Sequence, residues 1–314
     1  MLTTVALTGA SGFIGGVIAR HFSQAGWHVR GLVRTTRQAQ ELQDLGIEPV
    51  QGNLESPASL LALVRDCAGV IHCAAAIRGI RREDFHKTNV IGVSNIIKAC
   101  LAQSPLPRFV LLSSLAAREP SLSPYAWSKH EGESVLACEA GAIEWGIFRP
   151  PAVYGPKDRT ILPLFKLLRK GIGIQLGPSH AKFSLIHVDD LAKAVLLWLK
   201  NGGPPFHTFE IDDGFPGGYS WGEVFRLSNP HLHFCLRIPP VMLKILGKSN
   251  ETFSHLFGYV PIFTGGKVAE LLHPNWVCDN SHVTQALGWA PQISLQEGLR
   301  RLFTSDTLSP SQRN

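Results

Sequence analysis

The stretch VALTGASGFIGG, residues 5–16, joins an apolar run to a helical pattern through Gly9, Gly12 and Gly15, and few folds accept that order. Glycines there turn tightly, admit a phosphate close to the backbone and let the next helix pack on the strand, while the helix N-terminus offers free N–H groups to an anion. A glycine-rich turn alone is weak evidence. Directly after a strand and opening a helix it marks a dinucleotide site, with Thr8, Phe13 and Ile14 beside the glycines.

The pattern that follows fits this reading. Short apolar runs (HVRGLVR, GVIHCAA, RFVLLSS) alternate with helical segments of about ten to fifteen residues through the first half of the chain, the signature of a parallel sheet with crossover helices. The expected fold class is therefore α/β: a Rossmann-type doubly wound parallel sheet with a smaller mixed C-terminal lobe. Residues 1–150 should form the dinucleotide-binding domain, joined by 183–212. Residues 151–182 and 213–305 should form the substrate lobe, and 306–314 a frayed tail.

Composition excludes several classes. With 45% hydrophobic and 17% charged residues the chain can build a core, unlike a disordered segment. The +6 charge is scattered without basic runs, so no nucleic-acid partner is expected. The six cysteines lack metal-ligand spacing, so no metal is expected, and they read as buried free thiols in a reducing cytoplasm. No run reaches the roughly 18 residues of a membrane span. The chain is expected to be cytoplasmic, either free or peripheral to the inner face of a membrane, and NET at Asn250 is a chance glycosylation match.

Cofactor choice is made after the second strand, where NAD binders carry an acid for the ribose and NADP binders an arginine for the 2′-phosphate. Here Arg34 follows Val33 and no acid is present, so NADP(H) is favoured, with NAD(H) still open and a solvated loop arginine as the plain alternative. Asn53 and Leu54 end the third strand, where the adenine would lie, although Asn53 also suits a turn. Ala74 and Ala75 leave room at the carboxyl end of the next strand.

Tyr125 and Lys129 are four residues apart and share a face if SPYAWSKHEGE is a helix. Pro124 suits its first turn. An ammonium beside a phenol favours the phenolate, so Tyr125 is a candidate acid or base. Ser113 and Ser114 end a strand at the cofactor edge, where a hydroxyl can hold a substrate oxygen. Taken singly, each has a structural reading as a strand-end cap or an amphipathic face.

With TGASGFIG, SS, YAWSK, RPPAVYGP and IHVDDLA in this order, the chain resembles the extended short-chain dehydrogenase/reductases, the NAD(P)-dependent epimerase/dehydratase-like branch, over nearly its whole length. The resemblance implies catalytic Ser114, Tyr125 and Lys129, with Ser113 as the alternative serine, and Asn89 steadying the site. It implies Pro150 and Pro151 near the nicotinamide, Lys129 orienting the ribose, Val153 among the cofactor-binding residues, and a homodimer.

Two departures weigh against a sugar substrate: the missing acid after the second strand, and the ten residues between Ser114 and Tyr125, fewer than in many sugar epimerases. The segment PPVMLKILGK and the later LFGYVPIF are strongly apolar, which suits the lobe's own core, an apolar substrate channel or a membrane contact. The leading expectation is an NADP(H)-dependent enzyme interconverting a ketone and a secondary alcohol on a 3-oxo lipid, sterol-like or sphingoid-like substrate. A sugar-nucleotide epimerase/dehydratase is the nearest rival, since Lys157, Arg159, Lys166 and Arg169 suit a diphosphate. A non-catalytic dinucleotide-sensing protein is the rival of another class.

Overall fold

The computed structural model describes residues 3–305; the expected frayed tail, 306–314, lies outside the described residues. The first half lays down strands β1 (Thr4–Thr8), β2 (His28–Val33), β3 (Glu48–Gln51), β4 (Gly69–His72), β5 (Arg108–Leu112) and β6 (Trp145–Arg149). Between them run helices α1 (Phe13–Gln24), α2 (Thr36–Gln43), α3 (Pro57–Val64), α4 (Arg82–His86), α5 (Gly92–Leu101) and α6 (Pro124–Glu139). The second half adds β7 (Ala152–Tyr154), α7 (Leu162–Arg169), β8 (Ile172–Leu176), β9 (Lys182–Phe183), β10 (Leu185–His187), α8 (Val188–Lys200) and β11 (His207–Glu210). Last come α9 (Trp221–Ser228), β12 (Phe234–Ile238), α10 (Pro240–Phe257), α11 (Gly265–Leu272), β13 (Asn275–Trp276), α12 (Ser281–Leu287) and α13 (Leu295–Ser305).

Seven parallel strands form one sheet in the order β11-β6-β5-β4-β1-β2-β3. The order reverses between β1 and β4, so a crevice opens at their carboxyl ends, where doubly wound sheets bind ligands. Strands this deep must be apolar on both faces, and all four residues of β4 are buried. Helices α1 and α8 bury one face, with Ile18, Phe22, Leu191 and Trp198 fully enclosed. Helices α3, α5 and α6 cover the other through Leu60, Ile96, Ile97 and Leu136.

Residues 183–212 divide between the two regions. Helix α8 and strand β11 join the large sheet, whereas β10 pairs with β7 in a separate two-stranded piece. Leu185 on β10 and Tyr154 on β7 belong to the small lobe's core, with Phe165, Tyr219, Leu295 and Leu299. The three-residue β10 thus stands between the two cores, since its Ile186 is buried in the main one.

That core bears on one of the alternatives left open for the apolar segment. The apolar helix α10 lends it almost nothing: Leu243 is buried, while Val241, Met242, Ile245 and Leu246 are 68, 53, 59 and 44% exposed. The cysteines also depart from expectation, because Cys138 is exposed while Cys67 and Cys100 are buried. Among the described residues no helix is long and apolar enough to cross a membrane, and no group of His, Cys, Asp and Glu is placed to hold a metal.

Candidate active site

The glycine loop closes tightly over the end of β1. Gly9 adopts φ +74°, and a Cβ there would stand 2.8 Å from the Ala74 amide nitrogen. At Gly15 a Cβ would lie 2.2 Å from the Gly9 carbonyl oxygen, so only glycine lets α1 sit this close to the loop. Helix α1 has no side-chain cap and no acid in its first turn, which leaves its N-terminal N–H groups and positive dipole end available to an anion. This cradle fits a dinucleotide pyrophosphate. Phe13 and Ile14, half-buried, pack their side chains on the adjoining core.

Other sequence candidates fall around the same crevice in different ways. Ala74 and Ala75 are half-buried beyond β4. Thr8 is not free to meet a ligand: fully buried, its hydroxyl bonds the His72 ring at 3.0 Å and accepts the Ala74 N–H at 3.2 Å. Thr8 therefore ties β1 to β4 beneath the crevice. Arg34 is exposed directly after β2; its backbone N–H is held by Gln38, and among the described residues its guanidinium has no partner. Asn53 forms the turn, its Oδ1 accepting the Glu55 N–H at 2.8 Å. Leu54 packs on α5, where a Cβ at Gly92 would meet its Cδ1 at 2.8 Å. Pro150 is buried, and its carbonyl accepts the Leu115 N–H. Val153 is half-buried against the main core.

Opposite the glycine loop, β5 delivers the two serines to different surroundings. Ser113 is buried and donates to Glu133, whose carboxylate also pairs with Arg149. Ser114 is half-buried, caps the 3-10 turn Leu115–Arg118 by accepting the Ala116 N–H, and lies near enough to Tyr125 to favour its phenolate. Of the pair, Ser114 is the hydroxyl left beside the phenol.

Helix α6 begins where Ser123 accepts the Ala126 N–H at 2.9 Å, with Pro124 in its first turn. Tyr125 stands on that first turn, half-buried, with the Phe85 ring against it at 6.0 Å. Burial pushes its phenol up to about 12, and the Glu270 carboxylate pushes the same way, against the smaller lowering influence of the Ser114 hydroxyl. The lowering expected from Lys129 is not found. Lys129 is buried and donates to the Leu112 carbonyl at 2.7 Å, and burial brings its ammonium down to about 8. His72, buried nearby, is held neutral down to about 3 by burial and by the Lys129 charge.

Asn89 lies in a π-helical turn, Lys87–Ile91. Its amide exchanges two hydrogen bonds with the Ala76 backbone, at 2.7 and 2.9 Å, and donates to Ser128 at 2.9 Å. Ser128 in turn donates to the Tyr125 carbonyl at 2.7 Å. One side chain thus clamps the exit of β4 to the helix carrying the phenol.

Two groups escaped the sequence reading. Glu133 follows Lys129 by four residues, so the helical spacing of Tyr125 and Lys129 already placed it on the same face. Glu270 gave no local signal: it reaches the site from α11, where it accepts the Ser123 hydroxyl at 2.5 Å and pairs with Lys267 at 2.9 Å.

Comparison with known proteins gives the chain its family. The chain belongs to the NAD dependent epimerase/dehydratase family, whose model matches residues 5–211. It is therefore an NAD(P)-dependent enzyme of the extended short-chain dehydrogenase/reductase type. It is 34% identical over 290 residues to the ceramide reductase of Caulobacter vibrioides, covering 90% of this chain and 88% of that one. It is 25% identical over 341 residues to the 2-alkyl-3-oxoalkanoate reductase of Stenotrophomonas maltophilia, covering 96 and 98%. Among solved structures, the UDP-glucose 4-epimerase of Thermotoga maritima with UDP-glucose superposes with a TM-score of 0.76 at 18% identity, over 98% of this chain and 100% of that one. That last likeness speaks for the fold alone.

Proposed function

We propose that this protein is an NADPH-dependent ketoreductase acting on a long-chain lipid that carries a 3-oxo group, of sphingoid-like or related type. The observation that carries the reading is the placement of Ser114, at the sheet's carboxyl edge, and Tyr125, on the first turn of α6, beside a glycine cradle. When bound, NADPH supplies the hydride that reduces the carbonyl carbon. Ser114 holds the carbonyl oxygen. Tyr125, titrating at about 12, stays protonated at neutral pH and donates its proton to that oxygen as negative charge develops there. Ketone, hydride and proton together give the secondary alcohol. Lys129 is the residue that would hold the cofactor ribose, and Arg34, without a side-chain partner among the described residues, the one that would meet a 2′-phosphate.

A lipid substrate is supported by the exposed apolar helix α10 and by the names of the two reductases to which the chain is similar. The test is an assay of purified protein with NADPH and a long-chain 3-oxo lipid, beside UDP-glucose. One NADPH consumed per ketone reduced is expected, and Tyr125→Phe should lower kcat by roughly a hundredfold or more. Interconversion of UDP-glucose without net consumption of cofactor would instead mean an epimerase. Biological activity unchanged by Tyr125→Phe would mean a dinucleotide sensor.

A further inference from the structure

Helix α10 carries an apolar surface that nothing among the described residues covers. Beyond the four exposed side chains of its first turns, Phe253, Leu256 and Phe257 are 54, 72 and 75% exposed. Gly258 ends the helix in the left-handed conformation, φ +68°. The chain then folds back beside it, tied by Tyr259 to Asn250 and by Asn250 to the Phe263 carbonyl. Val260 and Ile262, 61 and 52% exposed, extend the same surface. Soluble proteins rarely leave so large a contiguous apolar face open.

Charge identifies the occupant. At 3.6 residues per turn the exposed apolar positions of α10 span an arc of about 160°. Lys244 and Lys248 lie beyond one edge of that arc, both exposed and without an ion pair among the described residues. Arg237, exposed on β12, precedes the helix. The only acid in α10, Glu251, is half-buried on the lysine side of the helix, where it accepts the Gly265 N–H. A broad apolar arc flanked by free lysines is the form of a helix lying in a membrane interface, not of one awaiting a protein partner with a polar rim.

Position connects the surface to the chemistry. Helix α10 packs on α11, which meets the start of α6: a Cβ at Gly266 would contact Ser123 at 3.0 Å, and Glu270 bonds the same serine. One helix therefore separates the apolar face from the turn bearing Tyr125.

We propose that α10 and the 259–263 loop dock this enzyme onto an anionic membrane surface, from which its lipid substrate is drawn. The proposal rests on the lipid reading above for the substrate, and on exposure and charge for the docking. The test uses the full chain and vesicles of phosphatidylcholine with or without phosphatidylglycerol. Co-sedimentation should require phosphatidylglycerol and weaken with salt. A double variant, Leu256→Glu with Phe257→Glu, should cut partitioning more than about tenfold, and Lys244→Ala with Lys248→Ala on the order of fivefold per lysine. Thermal unfolding unchanged in both variants would confirm that the fold is intact. Activity on a short-chain, water-soluble 3-oxo compound should be unaffected, while activity on the vesicle-borne lipid should fall with binding.

Absence of vesicle binding by the wild type overturns the docking, whatever its ketoreductase activity. So does a dimer that becomes a monomer in the glutamate variant without any vesicle binding, which would make this face a contact with a second copy. Vesicle binding lost in the variants by a protein that reduces no ketone would leave the docking standing and remove the lipid-reductase reading.

Discussion

Tyr125 shows how sequence spacing can misjudge a side chain's electrostatics. The interval to Lys129 suggested a depressed phenol, yet burial and Glu270 raise it to about 12, because the ammonium is turned to the Leu112 carbonyl. A neutral phenol suits donation of a proton to a carbonyl oxygen, and the opposite direction, alcohol oxidation, needs the phenolate. Glu270→Gln removes the nearby negative charge and should lower the Tyr125 pKa. The alkaline rise in the rate of alcohol oxidation should then move to lower pH, as should the alkaline fall of ketone reduction. Matching profiles for wild type and variant would show that Glu270 has no hold on the phenol. Arg34 permits a similarly local prediction. Arg34→Ala should raise the KM for NADPH about tenfold or more and leave that for NADH nearly unchanged, as initial-rate kinetics with both cofactors will report.

Elements decide which of these side chains can meet. Strand β4 leaves the sheet through three alanines, and Asn89 holds that exit against α6 by satisfying both polar groups of Ala76 while reaching Ser128. Asn89→Ala strands a backbone N–H and a carbonyl in a half-buried place, so it should cost about 1–3 kcal/mol. By loosening the first turn of α6 it should lower kcat roughly ten- to a hundredfold. Urea unfolding and steady-state kinetics on the same variant will check both. The sequence marked Asn89 through the motif around it, but the π-helical turn that aims its amide was not legible, since a five-residue turn is too short to show a period of its own. The same limit applies at β10: its residues read as a strand, while its partner β7 depends on what lies beside it in space.

For the molecule as a whole, the site is held at some expense of stability. Lys129 is buried, with its ammonium lowered to about 8 against an ordinary 10.5. Folding therefore releases its proton between those values, and its contribution to stability is lost as pH falls from about 10.5 through about 8. Relative to Lys129→Met, the wild type should gain stability as pH rises across that window. Denaturant midpoints for the two proteins at pH 7.5 and 10 will show it, and a constant difference would contradict the burial of the charge. The doubly wound sheet, the glycine loop and the interval between Tyr125 and Lys129 were all readable in the chain, because strand and helix periods, turn chemistry and i,i+4 spacing are properties of neighbours in sequence. The capture of Ser113 by Glu133 and Arg149, the exposure of α10, and the arrival of Glu270 at Ser123 across 147 residues of chain were not. Charge partners and burial belong to whatever packs nearby in space, and for these groups folding brings that neighbour from a distant part of the chain.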